Sequence, residues 1–381
     1  MSFKRLAMAA SALVVVAACS TGGGGATTAP GTSAPGTSAP GTSAAGTSAP
    51  ATGGGTEGCT VGMSWNNYQE ERWAKWDEPA LKAAIEAGGG TYISNDAGSS
   101  EETQLSNVEN LITQGADVVV ILAQDTEAIL PAVDAALTQD IPVIAYDRLI
   151  ESPDVLYTSF DNVRVGEMQA EAVLAEVAEG NFVVIKGNGS DANSDFLRQG
   201  MTNAGVPDVG ESSDTITIVG ESYTDNWDPA IAQTTMEQFL TDNNNEIDAA
   251  LVENDGMAGG AIAALEAQGM AGTIPVSGQD GDLAALNRVA VGTQTVSVWK
   301  DARELGTASG EAALALCENG DPAAVEGTAD FETPGGNTVA SILLEPIPVT
   351  QENLDVVLDA EWIDEETLCQ GVTAGSVAGC P

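Results

Sequence analysis

From residue 60 onward the chain alternates short apolar runs with longer amphipathic ones. Residues 60–65 form the first apolar run; a helical pattern from about 70 to 87 follows and stops at Gly88, Gly89 and Gly90, a glycine stop signal. Residues 91–95 predict a second strand. In 101–114, Leu105, Val108, Leu111 and Ile112 recur at helical spacing. Residues 117–123 read as a strand, apolar without a break after Asp117, as expected of a strand covered on both faces. A helix at about 126–139 leads to Ile141-Pro-Val-Ile-Ala-Tyr-Asp-Arg148, a short buried strand with Asp147 and Arg148 where it stops. After a strand at 155–160 the alternation repeats. Helices at 162–179, 194–204, 229–241, 256–268, 282–290 and 301–317 are separated by strands at 182–186, 215–221, 249–253, 275–279 and 295–299. A last strand near 339–345 and an irregular tail close the chain. Repeated β-α units of this length predict parallel sheets, and a break near 160 predicts an α/β fold of two doubly wound, Rossmann-like lobes.

The first 58 residues follow a different pattern. Lys4 and Arg5 precede an uncharged apolar run from Leu6 to Ala18. That run is shorter than the ~20 residues a bilayer span needs, and it reads as a signal peptide over 1–18. It ends Val16-Ala17-Ala18-Cys19, which looks like a bacterial lipoprotein cleavage box with Cys19 as the lipidated residue. Residues 19–58 then read as a tether. From 20 to 56 there are only Gly, Thr, Ser, Ala and Pro, and Ala-Pro-Gly-Thr-Ser recurs at 34–38 and 39–43. No side chain there can build a core. As a coil such a tether reaches about 35 Å.

Charge narrows the partners. The 381 residues carry 56 acidic and 12 basic side chains and no histidine, a formal net charge of −44. Such a surface repels nucleic acid and anionic lipid, so the lipid is the expected membrane contact. Beyond Cys19 there are four cysteines, Cys59, Cys317, Cys369 and Cys380. In an exported protein they predict two disulfides, with three pairings open. Cys369 and Cys380 flank a small loop and are the favoured pair, which leaves Cys59 with Cys317. Their spacing is not a zinc pattern, and no metal site or cofactor is expected.

Polar clusters fall just after the strands, where ligands of open α/β sheets bind. They are Asn66-Asn67 with Arg72-Trp73, Asp147-Arg148, Asp191 with Asn193, Trp227, Asn254-Asp255, Gln279-Asp280 and Lys300. Asp, Asn, Arg and Lys suit vicinal hydroxyls, and tryptophan faces suit the apolar faces of sugars; Trp73 also fits a helix-face core position. Enzyme readings fare worse. The absence of histidine excludes Ser-His-Asp and Cys-His arrangements. Gly187-Asn-Gly-Ser-Asp-Ala192 matches a dinucleotide fingerprint, but it lies mid-chain and sets the Asp191 carboxylate against a pyrophosphate. The stretch 242–248 has Ile247 where a calcium loop needs glycine. Paired carboxylates for glycoside hydrolysis are the enzyme alternative.

With these residues laid out, the chain resembles the periplasmic sugar-binding proteins of ABC transport, most of all the xylose-binding and multiple-sugar-binding members. The resemblance covers about 60 to 350 and rests on Glu71-Arg-Trp73, Glu101-Glu-Thr-Gln104, Ala145-Tyr-Asp-Arg148, Ser159-Phe-Asp-Asn162, Asn254-Asp255, Ser277-Gly-Gln-Asp280 and Gly292-Thr-Gln-Thr295. It implies two lobes joined by a three-segment hinge with sugar in the cleft. The expected lobes are 59–160 plus about 300–330, and 161–299 plus about 331–368, with 369–381 as a tail. Carried onto matching positions, Arg72, Asp147, Arg148, Asp191, Asn193, Asn254, Asp280 and Lys300 hydrogen-bond the sugar, and Trp227 and Trp73 stack on it. The chain departs from the xylose pattern at Ala192, where Asn is usual, and at Asn66 and Asn67, which replace two acids. The implied function is a monomeric, non-enzymatic receptor that hands a monosaccharide such as D-xylose or D-glucose to an ABC permease. The alternative is a sensor that signals sugar to a membrane kinase or chemoreceptor.

Overall fold

The structure is a computed structural model, and it describes residues 58–381 apart from 212 and 214. The expected signal peptide, Cys19 and all but the last residue of the tether lie outside the described residues. The first lobe begins with β1 (Thr60–Trp65), a π-helical turn (Trp73–Asp77), α1 (Glu78–Ala87), β2 (Thr91–Asp96) and α2 (Glu101–Thr113). It continues with β3 (Val118–Ile121), α3 (Leu130–Leu137), β4 (Val143–Tyr146) and β5 (Leu156–Phe160). The second lobe holds α4 (Asn162–Glu176), β6 (Gly180–Ile185), α5 (Ala192–Asn203), β7 (Ile216–Ser222), α6 (Pro229–Asp242), β8 (Ala249–Val252), α7 (Asp255–Ala267), α8 (Leu283–Val291) and β9 (Ser297–Trp299). The chain then returns through α9 (Ala302–Asn319), β10 (Ala329–Glu332) and β11 (Thr338–Leu344). It ends in β12 (Ile347–Val349), α10 (Asp355–Asp359) and α11 (Glu365–Leu368).

The first sheet has seven strands in the order β10-β11-β5-β4-β3-β1-β2, all parallel except β10. β3 and β4 are buried throughout, as their unbroken apolar runs require when helices cover both faces. α9 comes back to pack on α1 and completes this lobe. The second sheet joins β7-β6-β8 in parallel, and β9 pairs with β12 antiparallel.

Two sequence expectations need correction here. Residues 275–279 are not a full strand; only the bridges Ala250–Val276 and Gln279–Val298 link β8 to β9. Pro275 brings no N–H, and the Ser277 hydroxyl takes backbone positions in the ladder, accepting from Val252 N at 2.9 Å and donating to Val252 O at 3.0 Å. The second correction concerns 331–344, expected in the second lobe. β11 pairs with β5 and β10 with β11, so this hairpin extends the first sheet. The chain crosses between lobes three times, after β5, after β9 and after β11. Two of the crossings touch: Asp161 N donates to Leu344 O at 3.0 Å. The disulfides are Cys59–Cys317 and Cys369–Cys380, the favoured pairing, with Cα separations of 6.2 and 5.5 Å.

Candidate functional site

The carboxyl ends of β1, β4, β6, β8 and β9 meet at the cleft between the lobes, as doubly wound sheets dictate. The cavity there is lined by Arg72, Trp73, Asp147, Arg148, Asn193, Trp227, Asn254, Asp280 and Lys300, all expected from sequence, and by Glu70 and Gln279. Ten site residues were expected, and only Asp191 stands behind the wall rather than in it.

On the first-lobe wall the organising residue is Arg72, 2% exposed. It enters the π-helical turn, whose hydrogen bond runs from Glu78 N to Trp73 O, five residues back. That wider turn sets residues five apart on one side, so Asp77 meets Arg72. The guanidinium donates to both Asp77 oxygens, through Nε at 3.0 Å and Nη2 at 2.8 Å. Tyr146 OH donates to the same carboxylate at 2.5 Å. This bidentate anchor aims Nη1 at the cleft, where it lies 3.2 Å from Asp147 Oδ2 and 3.3 Å from Asp280 Oδ1. Burial works against the guanidinium charge, but Asp77 and Asp147 outweigh it and hold Arg72 charged well beyond its ordinary range. Its plane also covers the Trp73 ring at 4.4 Å, and the Trp73 indole donates to Glu70 Oε2 at 2.7 Å. Trp73 is thus core and wall at once.

Asp147 follows β4 with φ of +61°. Its backbone oxygen accepts from Ser159 Oγ at 2.7 Å and Asn193 Nδ2 at 3.0 Å, so this sparsely populated conformation is held from both lobes. Arg148 donates to Ala123 O at 3.0 Å, and its Nε lies 2.9 Å from Asp191 Oδ2.

The second-lobe wall is fixed by caps and backbone shape. Asp191 caps α5, accepting from Asn193 N at 3.0 Å, and also takes the Trp227 indole N–H at 3.2 Å. Asn254 caps α7 through its oxygen, which leaves the amide nitrogen as a donor for the cavity. Asn226 and Trp227 both lie at positive φ, +54° and +56°. Trp227 sits flat over Gly187: a Cβ on that glycine would stand 2.2 Å from the ring. The glycine of the apparent dinucleotide fingerprint is therefore an aromatic seat. Asp255 holds the next loop, accepting from Gly281 N and Asp282 N at 3.0 Å and from Ser297 Oγ at 2.6 Å. That loop carries Asp280 at φ +100°. Burial raises the Asp280 carboxyl, but Lys300 at 3.0 Å and Arg72 prevail, and its pKa falls below the usual carboxylate value.

Asn66 and Asn67 do not reach the cavity. Their oxygens accept from Asn67 N and Gln69 N and shape the loop. The rim is closed by Gln124, donating to Asn226 Oδ1 at 2.7 Å, and by Thr126, donating to Ser190 O at 3.1 Å. Sequence reading missed Glu70, Asp77 and this rim; the spacing of Asp77 from Arg72 is informative only once the π turn is known.

Comparison with known proteins fits this architecture. Residues 61–321 match the periplasmic binding protein domain. The D-xylose-binding periplasmic protein of Escherichia coli K12 is 39% identical over 81% of this chain and 92% of that protein. The multiple sugar-binding periplasmic receptor ChvE of Rhizobium radiobacter is 30% identical over 78% of this chain and 89% of that protein. A carbohydrate transporter solute binding protein from Chloroflexus aurantiacus, solved in complex with D-glucose, superposes with a TM-score of 0.72 at 25% identity, over 82% of this chain and 98% of that one. These relatives are solute-binding proteins, not enzymes. By sequence and by fold, the chain belongs to the periplasmic binding protein domain family.

Proposed function

We propose that the protein is a monomeric, lipid-anchored extracytoplasmic receptor that captures a monosaccharide, xylose or a related pentose or hexose, and delivers it to an ABC importer. The observation that carries the sugar reading is a pair of buried acceptors in the cavity wall. Among the described residues, Asp147 Oδ2 and Gln279 Oε1 find no hydrogen-bond partner. Arg72 lies near Asp147 at ion-pair distance but out of line for a bond. Buried acceptors of this kind call for a donor, and a polyhydroxylated ligand supplies several. Trp227 offers the ring a flat apolar face, and Arg148, Asn193, Asn254 and Lys300 offer donors around its edge. Relatives named for xylose and for multiple sugars support the same substrate class, and Cys19 with its cleavage box supports the anchor.

Closure follows from the wiring. Arg72 and Arg148 stand on the first lobe, and the acids they reach across the cleft, Asp280 and Asp191, on the second. A sugar that bonds to both walls stabilises the closed form by its differential affinity for that form.

The test is calorimetric titration of wild type and Arg148→Ala with D-xylose, D-glucose and L-arabinose. Removing a charge-assisted donor from a closed site costs ~2–4 kcal/mol, about 30- to 1,000-fold in affinity. Equal affinities in the two proteins, or no binding by wild type, would overturn the reading.

A further inference from the structure

All the charged groups of the cavity wall but one are paired within the protein. Arg72 meets Asp77, Asp147 and Asp280; Lys300 meets Asp280; Arg148 meets Asp191. Glu70 lines the same cavity and forms no ion pair among the described residues. Its Oε2 accepts from the Trp73 indole, which fixes the carboxylate at the end of the loop leading into the π-helical turn. The residue is half-buried. Burial raises its pKa, and the Arg148 guanidinium pulls the other way without reaching bonding distance. In and just behind the wall, five acids therefore face three cations. The acid left without an ion-pair partner among the described residues is Glu70.

We infer that Glu70 is a specificity-determining residue that reads the charge of the sugar. It discriminates against sugars bearing a carboxylate and favours an amino substituent over the neutral parent. The inference rests on the sugar-binding reading above and extends it from substrate class to substrate charge. A carboxylate entering this cavity meets an unneutralised like charge in a site shielded from water, where charges interact more strongly than in bulk solvent. An ammonium group meets the partner that the protein itself does not provide.

Glu70→Gln keeps the shape and the acceptor for Trp73 while removing the charge. Because burial raises the Glu70 pKa, wild type and variant are titrated calorimetrically at pH 7 rather than in acid, with D-glucose, D-glucosamine and D-glucuronate, and with D-xylose as a further neutral sugar. In wild type, glucuronate should bind at least roughly tenfold more weakly than glucose. In Glu70→Gln that gap should narrow by about tenfold, and the glucosamine-to-glucose ratio should fall by a similar factor. Ratios unchanged by the substitution, with glucose or xylose still bound, overturn the role of Glu70 and leave sugar binding standing. Loss of neutral-sugar binding in a folded Glu70→Gln protein also overturns it, because Glu70 is then a ligand anchor rather than a charge filter. Failure of wild type to bind either neutral sugar overturns the sugar reading instead.

Discussion

The two walls of the cavity reach rigidity by different routes. The first-lobe wall is a side-chain network: Asp77 grips Arg72 with two bonds, Tyr146 grips Asp77, and the ion pairs radiate from there. The second-lobe wall depends on main-chain shape: a glycine seat under Trp227, asparagine and aspartate caps, and positive φ at Asn226, Trp227 and Asp280. A network fails through its charges, whereas a shaped backbone fails through sterics. The ion pairs that span the cleft run one way, from Arg72 and Arg148 on the first lobe to Asp280 and Asp191 on the second. Closing the cleft therefore brings opposite charges together.

The largest expected effect lies in the network. Asp77→Ala leaves the Arg72 charge buried without its bidentate partner, and should cost about 3–5 kcal/mol of stability. Chemical denaturation measures it; a loss below about 1 kcal/mol would mean that the first wall does not hang on this pair. A smaller effect is expected in the seat. Gly187→Ala pushes the Trp227 ring off its place, with an overpacking cost of roughly 1–3 kcal/mol. Because Trp227 faces the cavity, that cost should appear as weaker sugar binding, read by titration, more than as a lower melting temperature. Equal losses in both measurements would erase the distinction between the walls.

The smallest effect is set by pH. Asp280 has its pKa lowered in the folded protein, so its contribution is present above the ordinary value of about 3.9 and is lost as pH falls through the lower folded value. Melting curves of wild type should be insensitive to this group from pH 8 to about 4. Below that, wild type should lose up to about 1.4 kcal/mol for each unit by which the pKa is lowered, and Asp280→Asn should not. A steep loss already at pH 6 would assign the acid sensitivity to another group.

Sequence patterns show the fold where it is local. β1 falls at the expected 60–65, and β3, β4 and β8 lie inside their apolar runs, because a strand buried on both faces has little choice of composition. The hairpin of β10 and β11 was placed in the wrong lobe because its partner, β5, lies some 180 residues earlier, and nothing in its own composition names that partner. Site residues were legible when they stood directly after a strand, as Asp147, Arg148, Asn254 and Lys300 do. Glu70 and Asp77 were not, because their roles depend on a π turn, and a short acidic stretch before a helix reads equally well as solvated surface.

The Cys59–Cys317 bond has a mechanical consequence. It joins the residue just before β1 to one near the end of α9, and both belong to the first lobe. Tension applied to the chain ahead of residue 59 enters at that bond and is shared at once between β1 and α9. None of the three lobe crossings lies in its path. A pull on that end of the chain is thus loaded through one lobe alone, and the cleft is insulated from it.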